Sequence, residues 1–474
     1  MNAEDRDSIQ LAKFGYEQQL HRTMGGFSSF AISFSLISVL TGLFANFNYG
    51  FSQVGGMVIW SWVLVGMGQI LVALVMADLS RHFPISGYGY QWSARLINPH
   101  FGFFVGWFLI IQFITGFPGT SQAMAGTISA MLGGATYGWN VSFLTLGIIT
   151  IVTLIHLSGI KLAALVNNLG VYAELAGVGF IVLALFIVWK ISGAVDTKNL
   201  FFAANVITGN SVSITSFSLS LLLGAWCLTG FEAAADLAEE TKAPENQVPK
   251  AVMRSIVSAV LAGFLILVLL VLSAGNIMDT QKKENAMLYI LENALGTRVT
   301  AVLGILVVIS IFACAVASMA TASRLIFSMA RDNMLPWGEI IAKVNPKTKS
   351  PQAATIFIWI LSVVIILSFR RIEIITGVGA VAAYIGYSGI MLATILSTKG
   401  YLNKKMRWIR MIAATWTVFV VFALSIPETD IPGISLKHLP AVSSLIAGIF
   451  GFFLYWIFLR KKILRGDAGP TAKF

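Results

Sequence analysis

Residues 216–250, SFSLSLLLGAWCLTGFEAAADLAEETKAPENQVPK, decide how this chain is read. The stretch starts as an apolar span and loosens at Gly224 and Gly230. It places Glu232 just past the second glycine and ends in an acidic, proline-marked aqueous segment. A carboxylate beside a glycine break is costly in lipid, so such a residue faces a cavity. The glycines leave backbone groups free to meet a ligand. This pattern predicts a transporter rather than a passive anchor.

The rest of the chain supports a membrane reading. Of 474 residues, 57% are hydrophobic and only 11% charged, with a mean hydropathy of +0.81. A soluble domain with this much apolar surface would aggregate. Apolar segments of about 20 residues, the length a hydrocarbon core of about 30 Å demands, recur along the sequence. They predict an all-α integral membrane protein with twelve spans near 24–50, 54–78, 101–132, 139–158, 162–190, 213–236, 252–275, 298–328, 352–369, 373–397, 407–425 and 438–459. The longest gaps are too short for a soluble domain, so one polytopic unit is expected.

The net charge of +11 falls in the loops, where topology explains it better than nucleic-acid binding does. No RNA- or DNA-reading motif is present. With both ends inside, Lys and Arg favour the inner side by roughly three to one. Arg6, Lys13, Arg22, Lys161, Lys399, Lys404, Arg460 and Lys473 lie inside; Lys437 and the pair Arg370 and Arg371 lie outside. The expected location is the cytoplasmic membrane, multi-pass, with cytoplasmic termini. The polar first ten residues predict no cleavable leader. Cys227 and Cys314 fall within apolar spans and read as small buried residues. His21, His82, His100, His156 and His438 show no metal spacing, and no phosphate loop occurs. No metal or cofactor is expected.

A weak internal echo links the first span to the sixth. Ser33-Phe34-Ser35-Leu36 precedes Thr41-Gly42-Leu43, and Ser216-Phe217-Ser218-Leu219 precedes Thr229-Gly230-Phe231. A five-span offset is what an inverted repeat gives.

Three motifs, in order, carry a family resemblance. The second span ends in 77–92, ADLSRHFPISGYGYQW. The sixth contains Gly230-Phe231-Glu232, followed by Glu239-Glu240-Thr241-Lys242-Ala243-Pro244 and Pro249. Ser323-Arg324 precedes 330–336, ARDNMLP. Over nearly its whole length the chain resembles the amino acid–polyamine–organocation superfamily of secondary transporters, most nearly its amino acid/choline branch. The resemblance implies a five-plus-five inverted repeat (about 24–190 and 213–397) with two additional helices (about 407–459). Helices one and six would be broken near the membrane centre. Substrate would sit between those breaks and helices three, eight and ten.

The candidate site follows. Unwound backbone around Ser38, Thr41 and Gly42 offers N–H groups that suit a carboxylate; the alternative is a small-residue packing patch, and Leu40 stands where the family commonly has glycine. At the second break, Thr229 and Gly230 leave carbonyls that suit an ammonium, and Trp226 adds a cation–π face. In the family's arginine-exchanging members an aromatic at the matching position stacks on the substrate and gates it; the alternative is a core or lipid-facing tryptophan. Glu232 reads as a proton carrier or as a structural carboxylate bonded to backbone the break exposes. Glu174 stands at or near the place where several relatives carry a lysine in a would-be sodium site. It is read as a proton carrier, a countercharge to a cation, or a buried neutral carboxyl. Ser318 and Thr321 are candidate oxygens for a cation site, against a simple packing role. Gln112, Tyr384 and Tyr387 are candidate cavity residues. Arg324, Arg331 and Asp332 are candidates for inner-gate pairs with charges such as Asp78, Arg81 or Glu240.

The leading expectation is a secondary active importer of a small amino acid, amine or quaternary ammonium compound, coupled to protons. Obligate exchange or sodium coupling on the same fold is the main alternative. A sensor would need an output domain, a channel a repeated filter segment, and a membrane enzyme a catalytic constellation. None of these is legible.

Overall fold

The computed structural model describes residues 3–192, 196–206, 211–397, 404–425 and 439–470. Lys399, Lys437, His438 and Lys473, read above as loop charges or as a histidine without metal spacing, lie outside them. A short polar helix, α1 (Ala3–Lys13), precedes the first apolar segment. That segment is cut into α2 (Gly26–Ile37) and α3 (Val39–Val54). Ser38 makes the cut, with φ +34° and ψ 90°, and its Oγ accepts the Thr41 N–H at 3.3 Å. A short hydroxyl residue can satisfy a helix N-terminus that lipid would leave orphaned. The break therefore falls three residues before Thr41, and Thr41 and Gly42 sit in the first turn of α3.

The chain continues through α4 (Val58–His82), α5 (Tyr88–Leu96), α6 (Pro99–Met131), α7 (Trp139–Ser158), α8 (Ile160–Ser192) and α9 (Ile214–Cys227). After α9 the helix stops. Gly230 takes φ +100°, and the four-residue α10 (Ala233–Asp236) follows before α11 (Pro244–Leu272). Then come α12 (Ile277–Gln281), α13 (Ala286–Leu295), α14 (Thr297–Arg331), α15 (Gly338–Ile341), α16 (Gln352–Ser368), α17 (Ile372–Leu396), α18 (Arg407–Ser425), α19 (Leu439–Leu454) and α20 (Arg460–Arg465).

Nine helical stretches among the described residues are long and apolar enough to cross a membrane, and α9, α13 and α16 are shorter apolar helices. Large apolar side chains cover the outer faces: Leu165, Leu169 and Leu183 on α8, Phe450 and Phe453 on α19. Water would not tolerate such continuous apolar exposure, whereas lipid does. The protein is an all-α, multi-pass membrane protein.

Its centre is built from α2, α3, α6, α9, α14 and α17, with α6 packed on α14 and α17, and α3 on α9. Two glycines bring the interrupted helices together. A Cβ on Gly42 would fall inside the van der Waals envelope of Cys227 Sγ and Cβ. One on Gly230 would meet Leu36 Cγ at 2.7 Å, at a φ that favours glycine. Gly42→Ala is therefore expected to destabilise the protein by about 1–3 kcal/mol through overpacking. Cys227→Gly in the same chain should recover part of that loss in detergent thermal unfolding. No loss in the single variant would remove this contact as the reason for the glycine.

Candidate functional site

The two interruptions face each other across a small cavity. Leu36 and Ile37 close it from the end of α2, and Trp226, Thr229 and Gly230 from the end of α9. Gln112, Phe113, Gly116 and Thr120 come from α6, Cys314 and Ser318 from α14, and Gly379 from α17. Its volume is about 30 Å³. That holds about one or two waters and falls well short of a small-molecule pocket. The helices must part before any cargo enters.

The residues singled out from sequence divide around this cavity. Gln112, Trp226, Thr229, Gly230 and Ser318 line it. Ser38, Thr41, Gly42 and Tyr384 do not. Thr321 lies one turn from Ser318, and its hydroxyl donates to Ala317 O of its own helix at 3.0 Å. Gly116, Thr120 and Cys314 line the cavity without having been singled out. Pro118 between the first two is the sequence signal that was available, since proline inside a helix frees a carbonyl one turn back.

The N–H groups at the start of α3 are met from within. Gly42 N–H donates to Ser38 O at 3.0 Å, and Thr41 N–H to Ser38 Oγ. Glu174 of α8 is 1% exposed and places its carboxylate against the N–H groups of Val39 and Leu40 and the hydroxyls of Ser38 and Ser310. One of its oxygens, Oε1, makes no hydrogen bond of good geometry. The carbonyl end of α2 is engaged more weakly. Leu36 O faces the Cys314 thiol at 3.4 Å, and Ile37 O the Cys227 thiol at 3.9 Å.

Glu232 sits directly behind the cavity. Gly230 N–H donates to its Oε2 at 3.0 Å, and Gln112 Nε2 and the Tyr387 hydroxyl donate to Oε1 at 3.0 and 2.7 Å. The side chain thus holds the backbone exposed by the break and ties α6 and α17 to it. Ser33 Oγ makes a parallel link, donating to Phe231 O and accepting from Ala234 N–H. Asp236, one turn beyond Glu232, went unnoticed in sequence. It is fully buried, neither carboxylate oxygen has a hydrogen-bond partner among the described residues, and Glu232, Tyr88 and Arg324 lie within electrostatic reach. The Tyr88 and Tyr384 hydroxyls are also buried without hydrogen-bond partners among the described residues.

The end of the molecule that carries α1 and α20 is closed by charge. Arg324 pairs with Glu240 at 2.7 Å, and Arg331 with Glu239 at 2.9 Å. Asp78 takes Arg410 at 3.3 Å, while Arg81 is exposed. Asp332 faces phenols and an amide as well as the cation next to it: Tyr16, Tyr90 and Gln91 donate to it at 2.7–2.9 Å. Burial, then the charge of Asp332, pushes the Tyr16 phenol well above its ordinary value, so it remains a donor. Burial also raises Asp332, against the pull of Arg331. The segment after α1 is clamped in this way, with the Arg331 guanidinium 3.8 Å from the Tyr16 ring centre.

Comparison with known proteins agrees with this architecture. A family model described as amino acid permease matches residues 24–452. The chain is 26% identical to the amino-acid permease BAT1 of Arabidopsis thaliana, with 98% of this chain and 96% of that protein covered. It is 25% identical to the BAT1 homolog of Oryza sativa subsp. japonica, covering 98% and 95%, and 25% identical to the thiamine transporter thi9 of Schizosaccharomyces pombe, covering 80% and 73%. With a transporter-family model spanning most of the sequence and two interrupted helices meeting at a central cavity, the chain belongs to the amino acid permease family of the amino acid–polyamine–organocation superfamily, and is a transporter rather than an enzyme.

Proposed function

We propose that this protein is a secondary active transporter. It imports a small amino acid, amine or quaternary ammonium compound across the cytoplasmic membrane by alternating access, driven by protons. The observation that carries the reading is the collapsed cavity at the meeting point of the two helix breaks, with the Trp226 indole in its wall. The proposed topology has twelve spans, with both termini cytoplasmic. Residues 24–190 and 213–397 form two inverted repeats, and 407–459 supply two further helices. Binding near the midplane then drives one bundle to rock against the other.

Gln112, Trp226, Thr229 and Gly230 contact the cargo, with Ser38, Thr41, Gly42 and Tyr384 shaping the wall behind them. Glu174 and Glu232 are the proton-coupling candidates, as buried carboxylates that border the two breaks. The relatives' names span amino acids and thiamine, which supports a small nitrogenous cargo without selecting one.

Proteoliposomes test the reading. Uptake should rise with an inward proton gradient and collapse with an uncoupler, and Glu174→Gln or Glu232→Gln should remove the pH dependence. Uptake that requires preloaded substrate would replace the proposal with obligate exchange. An absolute sodium requirement would move the coupling to Ser318 and Thr321.

A further inference from the structure

We infer that Glu174 occupies the place a cargo carboxylate would need, so that the transported molecule is a small organic cation without a carboxylate. The inference rests on the transporter reading above and narrows its substrate class. At an interrupted helix, the free N–H groups of the second half are the natural berth for an anion. In α3 those groups already face oxygen: the Glu174 carboxyl lies against the Val39 and Leu40 N–H groups, and Ser38 accepts from Thr41 and Gly42. A second carboxylate brought to the same turn would compete with Glu174 for the same few donors, and whenever Glu174 is ionised the two like charges would also repel.

The cavity independently favours the opposite charge. Its lining includes no Lys, Arg or His. Two of its walls are the carbonyl ends of α2 and α9, where the helix dipoles are negative. Among the described residues the Leu36 and Ile37 carbonyls there meet thiols, which are weak donors that an ammonium would displace. The indole of Trp226 adds a face for a cation. Glu232, hydrogen-bonded to Gln112 and Gly230 of the cavity wall, is an acid and not a base.

Matched ligand pairs differing by one carboxylate separate the possibilities: ethanolamine and serine, putrescine and ornithine, agmatine and arginine, choline and glycine betaine. Purified full-length protein is titrated with both members of each pair while thermal unfolding is followed. The expected result is stabilisation by an amine, with its carboxylated partner binding at least about tenfold more weakly. Glu174→Ala should shrink that ratio, and Glu174→Gln should do so if the alanine variant fails to fold. A carboxylated member binding the unaltered protein as tightly as its amine overturns the inference alone, as does a folded variant whose ratio is unchanged. Silence from both members of every pair removes the small-amine-or-amino-acid reading itself, and this inference with it.

Discussion

Replacing Trp226 by alanine should reduce the kcat/KM of uptake by about 30-fold or more while the protein still reaches the membrane. The indole stands one residue from the end of α9, half-buried, with an edge near Gly119 of α6. It therefore belongs both to the cavity wall and to the surface that must move when the cavity opens. Aromatic residues at the centre of a binding site commonly contribute 2 kcal/mol or more, and about 2 kcal/mol is about 30-fold at room temperature. Half-burial limits the packing loss, so the folded population should survive. Trp226→Phe keeps a ring face and should retain part of the activity. Uptake by proteoliposomes and surface protein by quantitative blot, measured on the same preparations, check the claim. Full activity in the alanine variant would mean that cargo passes without touching this wall.

Much of the architecture was legible because lipid imposes a simple demand: apolar length, satisfied backbone, charges at the ends. Each expected span contains helix. The positions within the breaks were less legible. Ser38, Thr41 and Gly42 read together as the first break, and of the three Ser38 makes it, because a hydroxyl that can cap the new helix matters more than a nearby glycine. Gly42 instead permits the close crossing with Cys227, a property of two helices and not of one. Glu232 was legible as a buried carboxylate beside a break, and one of the two roles foreseen, holding exposed backbone, matches its hydrogen bonds. Asp236 was missed because its burial comes from α2, α11 and α14 packing around a four-residue helix, which has too little length to show a period. At the terminal end, Glu240 stood with Asp78 and Arg81 as a candidate partner for Arg324, Arg331 and Asp332, and it is found on Arg324. Nothing in the pattern separates Glu239 from Glu240, and their division follows position along α14, where Arg331 lies about two turns beyond Arg324 on the same face.

That buried pair is where a single substitution should destabilise the fold most. Arg324 and Glu240 are 1% and 2% exposed, and the guanidinium meets both carboxylate oxygens, at 2.7 and 3.3 Å. It also donates to Ser323 Oγ and Ala320 O, so its hydrogen-bonding capacity is largely used. Arg324→Ala would leave the Glu240 carboxylate buried with no countercharge of its own, since Arg331 is committed to Glu239. Breaking a buried pair from one side costs about 3–5 kcal/mol, whereas replacing both partners with packed apolar groups is often close to neutral. Glu240→Ala should be comparably harmful, and Arg324→Met with Glu240→Leu should recover most of the loss. The exposed pair Lys282–Asp279, at 3.8 Å with side chains 62% and 66% exposed, provides the contrast: Lys282→Ala should leave thermal unfolding unchanged. Equal, small losses for Arg324→Ala and Lys282→Ala would show that water reaches Arg324, and that the terminal end is open in the state that predominates in solution.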